Sequence, residues 1–299
     1  MPTPRISASS YSNTAPLIWS FLYGSHRGRV ELILDNAPAR SAELLSQDRV
    51  DAALVPVITF QHLDGMRLIP NVCVGAKDRA RSVCLITRGK ELEDVRSVSL
   101  DTSSKTSVVL TKLIFQHFLG REPEWRDALP DLDSMLDTSD CALLIGDPAL
   151  SIAEWGMRNA ESSDSASTAY EDDHERDRTP GDTDAALRTP HSALRKFDLA
   201  ELWRRHTDLG FVFAMWMTRR EKLSIDFASA RDEGLMHLDE IVSNYDSEIG
   251  LDRAEMMTYL SQNIRYSIDD SMQAGMELYF KLAAEAGLIK RARPLDYLE

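Results

Sequence analysis

Short apolar runs alternate with helix-period stretches over the first 147 residues of the chain. Strands are predicted at RISAS (5–9), VELIL (30–34), AALVPV (52–57), SVCLIT (82–87), SVSL (97–100) and ALLIG (142–146), and helices over 14–23, 38–47 and 106–119. In the third helix Leu110, Leu113, Ile114 and Phe118 fall at i, i+3, i+4 and i+8, a single apolar stripe. Strands alternating with helices predict an α/β protein with mostly parallel sheets.

The pattern breaks over 159–196, which has almost no large apolar side chains and carries nine acidic against five basic residues. Such a stretch buries too little to offset its ordering entropy and is expected to be a flexible acidic insertion. Apolar patterning resumes with a predicted helix, FDLAELWRRH (197–206), and a buried strand, FVFAMWM (211–217). Beyond Arg219 the pattern is helical almost to the end, and Met272, Met276, Tyr279, Phe280 and Ala283 form a stripe expected to be core. Apolar strands on both sides of a long middle segment predict two lobes. Residues 1–87 and 211–299 would form the first, 88–210 the second, with two connecting strands as a hinge near 82–87 and 211–217.

Composition narrows the function classes. The chain has 299 residues, 43% of them hydrophobic, enough for a large core or two lobes. A net charge of −14 argues against nucleic acid and against an anionic membrane surface as partners. Cys73, Cys84 and Cys141 form no CxxC pair, so three buried thiols in a reducing compartment are expected rather than disulfides or zinc. No apolar stretch suits a signal peptide or a membrane span, so the expectation is a soluble, cytoplasmic protein. The histidines do not cluster, and neither HExxH, GxSxG, GxGxxG nor a Walker A loop occurs; neither metal nor cofactor is expected.

Candidate chemistry sits in loops at the carboxyl ends of strands, where open α/β sheets bind ligands. In DTSSKTS, the turn after SVSL, the hydroxyls of Thr102, Ser103, Ser104, Thr106 and Ser107 surround Lys105 at a helix start. Free backbone N–H groups, hydroxyls and a cation there suit a carboxylate or phosphate, beyond the single hydroxyl an ordinary cap needs. SYSNTAPL offers Ser12, Asn13 and Thr14 before a helix opened by Pro16; on local evidence alone a plain cap, Asn13 or Thr14, is the favoured reading. Pro56 and Val57 follow the third strand, and Gly146 and Asp147 follow ALLIG, where Asp147 would cap a helix or polarise a ligand hydroxyl.

SYSNTAPL, VDAALVPV, RSVCL, LDTSSKTSVVL, ALLIGDPAL and DLAELWRRHTDLGFVFAMW together, in this order and spacing, resemble the chorismate dehydratases of the futalosine route to menaquinone. The resemblance spans nearly the whole chain outside 159–196. It implies a two-lobed fold similar to type II periplasmic-binding proteins, with mixed sheets, a two-strand hinge and a helical C-terminal segment. It also implies a carbon–oxygen lyase that removes water from dianionic chorismate to give 3-[(1-carboxyvinyl)oxy]benzoate. On that resemblance Asn13 and Ser82 are expected at the reacting ring, and Ser12, Pro56, Val57, Arg81, Ser103 to Ser107, Gly146 and Asp147 around the substrate. The substrate's own enolpyruvyl carboxylate is the expected proton acceptor. The chain departs from the family in Lys105 where arginine is usual, in YSNT for YLNT and in DLGFVFA for GLPFVFA. Lysine cannot make arginine's bidentate fork, and Arg81 is a candidate to compensate. Two other readings share the fold: a dihydroxynaphthoate synthase of the same route, and a small-carboxylate binding protein without catalysis.

Overall fold

The computed structural model describes residues 3–152 and 194–299. Two five-stranded sheets organise them. In the first, β1 (Arg5–Ser9), β2 (Glu31–Asp35), β3 (Ala52–Pro56), β4 (Arg67–Ala76) and β10 (Phe211–Thr218) lie in the order β2-β1-β3-β10-β4. In the second, β5 (Val83–Arg88), β6 (Ser97–Asp101), β7 (Glu124–Ala128), β8 (Cys141–Ile145) and β9 (Leu194–Asp198) lie in the order β7-β6-β8-β5-β9. Both sheets are mixed. β1 runs parallel to β2 and β3 while β10 runs antiparallel to β3 and β4; β6 is parallel to β7 and β8 while β5 is antiparallel to β8 and β9.

The patterned helices form where expected: α1 (Ala15–Leu22), α2 (Pro38–Ser46) and α4 (Lys105–Leu113), which continues as a π-turn over Ile114–Phe118; a short α3 (Thr59–His62) has no counterpart among the predicted elements. Beyond it come α5 (Leu132–Thr138), a helix opening at 146 and described to 152 (α6), and α7 (Leu199–Thr207). The C-terminal segment supplies α8 (Phe227–Met236), α9 (Leu238–Ile249), α10 (Arg253–Thr258) and α11 (Asp270–Glu285). The Met272–Met276–Tyr279–Phe280 stripe of α11 is buried in a cluster that also holds Val55, Met215, Leu85, Leu143 and Leu110, so one apolar core runs from the first lobe into the second.

The connections between lobes differ from the two-strand hinge read in the sequence. The strand expected at 82–87 forms one residue later and pairs wholly within the second sheet. The chain therefore crosses at 77–82 and again at 208–210, segments without strand structure that each carry one left-handed residue, Arg81 (φ 62°) and Asp208 (φ 58°). The predicted acidic insertion lies outside the described residues except at its end, where 194–196 open β9 instead of a loop. Phe197 likewise belongs to that strand, and the helix expected from 197 starts at Leu199, capped by Asp198. No described helix is long and apolar enough to cross a membrane, and Cys73, Cys84 and Cys141 are all buried free thiols.

Candidate active site

The carboxyl ends of β1, β3, β6 and β8 and the 80–83 crossing converge on one cavity between the lobes. Its polar lining is Ser9, Tyr11, Asn13, Thr14, Ser82, Ser104 and Ser107, and its apolar walls include Pro56, Val83, Ile145 and Phe213. Hydroxyls, one amide and helix ends thus make up the polar surface; no charged side chain is among the lining residues.

Each segment is held by local chemistry. After β1 the chain makes a single 3-10 turn over Ser12–Thr14 before α1, with Pro16 in the first helical turn. Neither Asn13 nor Thr14 caps α1 through its side chain, which resolves the alternative left open by the sequence. Instead the Thr14 hydroxyl donates to Asn13 Oδ1 at 3.3 Å and pairs with the Ser9 hydroxyl at 3.2 Å. With its oxygen so engaged, the Asn13 amide keeps its N–H donors for the cavity.

Ser82 is set by Asp198. The buried Asp198 carboxylate accepts from the backbone N–H groups of Ala200 and Glu201, capping α7, and from those of Ala80 and Arg81 at 3.2 and 2.5 Å. Burial pushes this carboxyl up, and the four backbone donors oppose that. The crossing segment is thereby clamped with Ser82 fully buried at the cavity wall, its hydroxyl donating weakly to the Ala80 carbonyl at 3.3 Å.

At the start of α4, Ser104 is the helix cap, its side chain accepting from the Ser107 N–H at 3.3 Å and bonded to the Ser107 hydroxyl at 2.9 Å. Three residues apart on a helix, the two serines share a face, and that face lines the cavity. The helix thus turns the positive end of its dipole toward the ligand space.

The remaining predicted residues take other places. Lys105 is exposed and outside the lining, close enough to His62 to add to the burial that lowers that imidazole's pKa. Thr106 faces the first lobe, where its side-chain oxygen accepts from the Ile58 N–H at 3.2 Å. Ser103 donates through both backbone N–H (2.9 Å) and hydroxyl (2.5 Å) to Asp101, a wholly buried carboxyl pushed up by burial. Arg81 lies 3.9 Å from Glu255 and Val57 is buried beneath the wall, neither of them lining the cavity. Gly146 lines it, while Asp147 reaches across the cleft to accept from Ser12 through its N–H (3.1 Å) and hydroxyl (2.5 Å). Neither Lys105 nor Arg81 is therefore among the lining residues, whose polar groups are hydroxyls, an amide and a helix end.

Sequence reasoning missed Tyr11, which lines the cavity from within the quoted SYSNTAPL segment; its phenol is pushed up by burial, opposed by Ser103 beside it.

Comparison with known proteins adds four findings. A family profile described as menaquinone biosynthesis matches residues 4–164 and 183–285. A chorismate dehydratase of Thermus thermophilus is 30% identical over 277 residues, covering 90% of this chain and 91% of that one. Among solved structures, a protein from Archaeoglobus fulgidus superposes with a TM-score of 0.66 at 15% identity, covering 96% of this chain and 98% of that chain. The periplasmic aliphatic sulphonate binding protein of Escherichia coli does so with a TM-score of 0.57 at 12% identity, covering 100% and 94%. The Escherichia coli likeness shows the periplasmic-binding-protein-like fold.

Proposed function

The chain belongs to the menaquinone-biosynthesis family, and from that premise we propose that it is a hydro-lyase that converts chorismate to 3-[(1-carboxyvinyl)oxy]benzoate and water. The observation that carries this reading is the convergence of Asn13, Ser82, Ser104 and Ser107, from both lobes, on one interlobe cavity. Chorismate is a small dianion, and the α4 N-terminus with its paired serines is matched to one of its carboxylates.

The reaction needs orientation and stabilisation of moving charge more than it needs a strong protein base. The proton leaves the ring carbon bearing the ether oxygen, and its electron pair runs through the conjugated double bond toward the ring carboxylate. Collapse of that charge expels the neighbouring hydroxyl, completes the aromatic ring and makes the step strongly downhill. We assign the proton to the substrate's enolpyruvyl carboxylate, which hands it to the departing hydroxyl as water forms, so that the carboxylate is regenerated. A lining that offers hydroxyl and amide donors supports this division of labour. Asn13 and Ser82 then donate to oxygens on which charge develops. Arg81 and Lys105 act from outside the cavity wall, where they raise the local potential without touching the ligand.

The test is incubation with chorismate alone, followed by absorbance of the new aromatic ring and a product lighter by one water. Asn13→Ala is expected to lower kcat by about 10²-fold, the effect of removing one preorganised donor, with a smaller change in KM. Tight chorismate binding without aromatisation would instead make the protein a carboxylate receptor, and unchanged turnover in Asn13→Ala would take that residue out of the mechanism.

A further inference from the structure

Two aromatic side chains are among the residues that line the interlobe cavity, Tyr11 and Phe213. Phe213 is buried, and its ring is engaged by that of Phe211, 4.8 Å away between centroids. Tyr11 is half-buried, so it offers the larger ring surface to the ligand space. The lining groups assigned so far to the reaction, hydroxyls and one amide, recognise the oxygens of a substrate and leave its carbon ring unrecognised.

The Tyr11 ring is fixed from both lobes. In the first, the Tyr11 carbonyl accepts from the Thr14 N–H at 2.9 Å, and the next residue, Ser12, is tied across the cleft to Asp147 by its N–H (3.1 Å) and hydroxyl (2.5 Å). In the second stands Gly146, with φ +65°. A Cβ there would lie 2.9 Å from Cε2 and Cζ of the Tyr11 ring and 3.0 Å from Cδ2. A point almost equally far from three consecutive ring carbons lies over the face of the ring, not off its edge. The glycine thus packs its Cα–H on one face of Tyr11, an approach that a side chain at 146 would block. The first lobe delivers the ring, the second covers one face of it, and the rest of the ring is what lines the cavity.

We infer that Tyr11 is a specificity-determining residue: the uncovered face of its ring is a platform on which the six-membered ring of the substrate lies, so that the cavity selects unsaturated carbocyclic carboxylates over saturated ones. The inference takes its substrate from the chorismate reading above and rests on it. A flat ring stacks offset on an aromatic face, with a gain beyond the area it buries, and a puckered saturated ring cannot match that contact. The dehydration turns a partly saturated ring into a fully flat one. The platform therefore holds the ring more tightly as the reaction proceeds, which lowers the barrier and not only KM. Burial raises the pKa of the Tyr11 phenol, so the ring stays neutral at physiological pH and does not repel a dianion.

The experiment measures, by calorimetry, the binding of 3-(carboxymethoxy)benzoate and of its ring-saturated counterpart to wild type, Tyr11→Phe and Tyr11→Leu, beside turnover of chorismate by the same proteins. Wild type and Tyr11→Phe are expected to bind the aromatic diacid about tenfold more tightly than the saturated one, and Tyr11→Leu to bind the two within about twofold of each other. On chorismate, kcat/KM is expected to fall about tenfold in Tyr11→Leu and to stay within about twofold in Tyr11→Phe. Equal binding of the two diacids by wild type overturns the inference, and that result needs no variant to fold. A preference that persists in Tyr11→Leu overturns it too, as does an equal loss in Tyr11→Phe, which would give the effect to the hydroxyl. A Tyr11-dependent preference in a protein that leaves chorismate untouched supports the platform and removes the chorismate reading. A wild type that binds neither diacid and leaves chorismate untouched removes both.

Discussion

The side-chain oxygen of Thr106, in the second lobe, accepts a hydrogen bond from the backbone N–H of Ile58, in the first, at 3.2 Å. The Thr106 carbonyl accepts another from the Tyr279 hydroxyl of α11 at 3.0 Å. A second tie joins Ser12 to Asp147, again one residue from each lobe. Polar ties thus join the two halves beside the cavity, while the shared core anchors both through α11.

Thr106→Val keeps the shape of the side chain and removes the acceptor. The Ile58 N–H is then buried without a partner, at a cost of about 1–3 kcal/mol. For a chain of this size that lowers Tm by roughly 2–10 °C, measured by thermal denaturation. An unaltered Tm would mean that the Thr106 oxygen is not a working tie.

Asp147→Asn tests the other tie. The carboxylate receives two donors from Ser12, and an amide keeps only one oxygen and no charge. Charge-assisted bonds are roughly twice as strong as neutral ones, so the closed cavity is weakened and KM is expected to rise about tenfold with a smaller fall in kcat. Ser12→Ala should do the same, and the double variant should cost little more than either single change. Full additivity of the two would show that they act independently.

Gly146 has φ +65°, and a Cβ there would come within 2.9 Å of the Tyr11 ring, which lines the cavity. Gly146→Ala is therefore expected to lose about 1 kcal/mol through its backbone and also to push Tyr11 into the ligand space. Gly65→Ala is the control, since Gly65 has φ +71° with nothing within 4 Å. Both should lose stability in denaturant titration, but only Gly146→Ala should raise KM. An equal KM in the two would clear the Tyr11 ring of any part in binding.

How much of this was legible in the sequence follows from what pattern encodes. β3, β8 and β10 are continuous apolar runs and declare themselves, and β1 and β6 alternate serine with apolar residues. β4 does not, because Pro70 and Asn71 (φ 63°) interrupt it. β7 and β9 are edge strands whose sequences, EWRDA and LRKFD, are charged in the way that keeps edges from pairing with other chains. At the site, strand-end loops pointed to Asn13, Ser104, Ser107 and Gly146, and these four line the cavity. Treating DTSSKTS as a uniform cradle overlooked helical phase, which puts positions 104 and 107 on one face and aims 105 and 106 elsewhere.

Away from the cavity, Glu233 of α8 ties the end of α1 to the following loop. Its carboxylate accepts from the Ser20 hydroxyl, from the Ser25 hydroxyl at 2.7 Å and from the Ser25 N–H at 2.9 Å, with His26 Nδ1 3.8 Å away. The Ser20 and Ser25 side chains are the main reason its pKa falls from the ordinary 4.5 to about 2. A carboxyl whose folded pKa is depressed stabilises the fold above its unfolded pKa and loses that contribution as pH drops through the folded one. The contribution is therefore complete above about pH 4.5, fades between there and about pH 2, and is absent below. Glu233→Gln removes the charge while keeping one acceptor oxygen. It should be less stable than wild type at pH 7, as stable at pH 2, and equally active on chorismate at neutral pH. Denaturant titrations of both proteins across that range decide the matter: a stability difference that does not change with pH would mean the carboxylate's charge contributes nothing to holding α8 against α1.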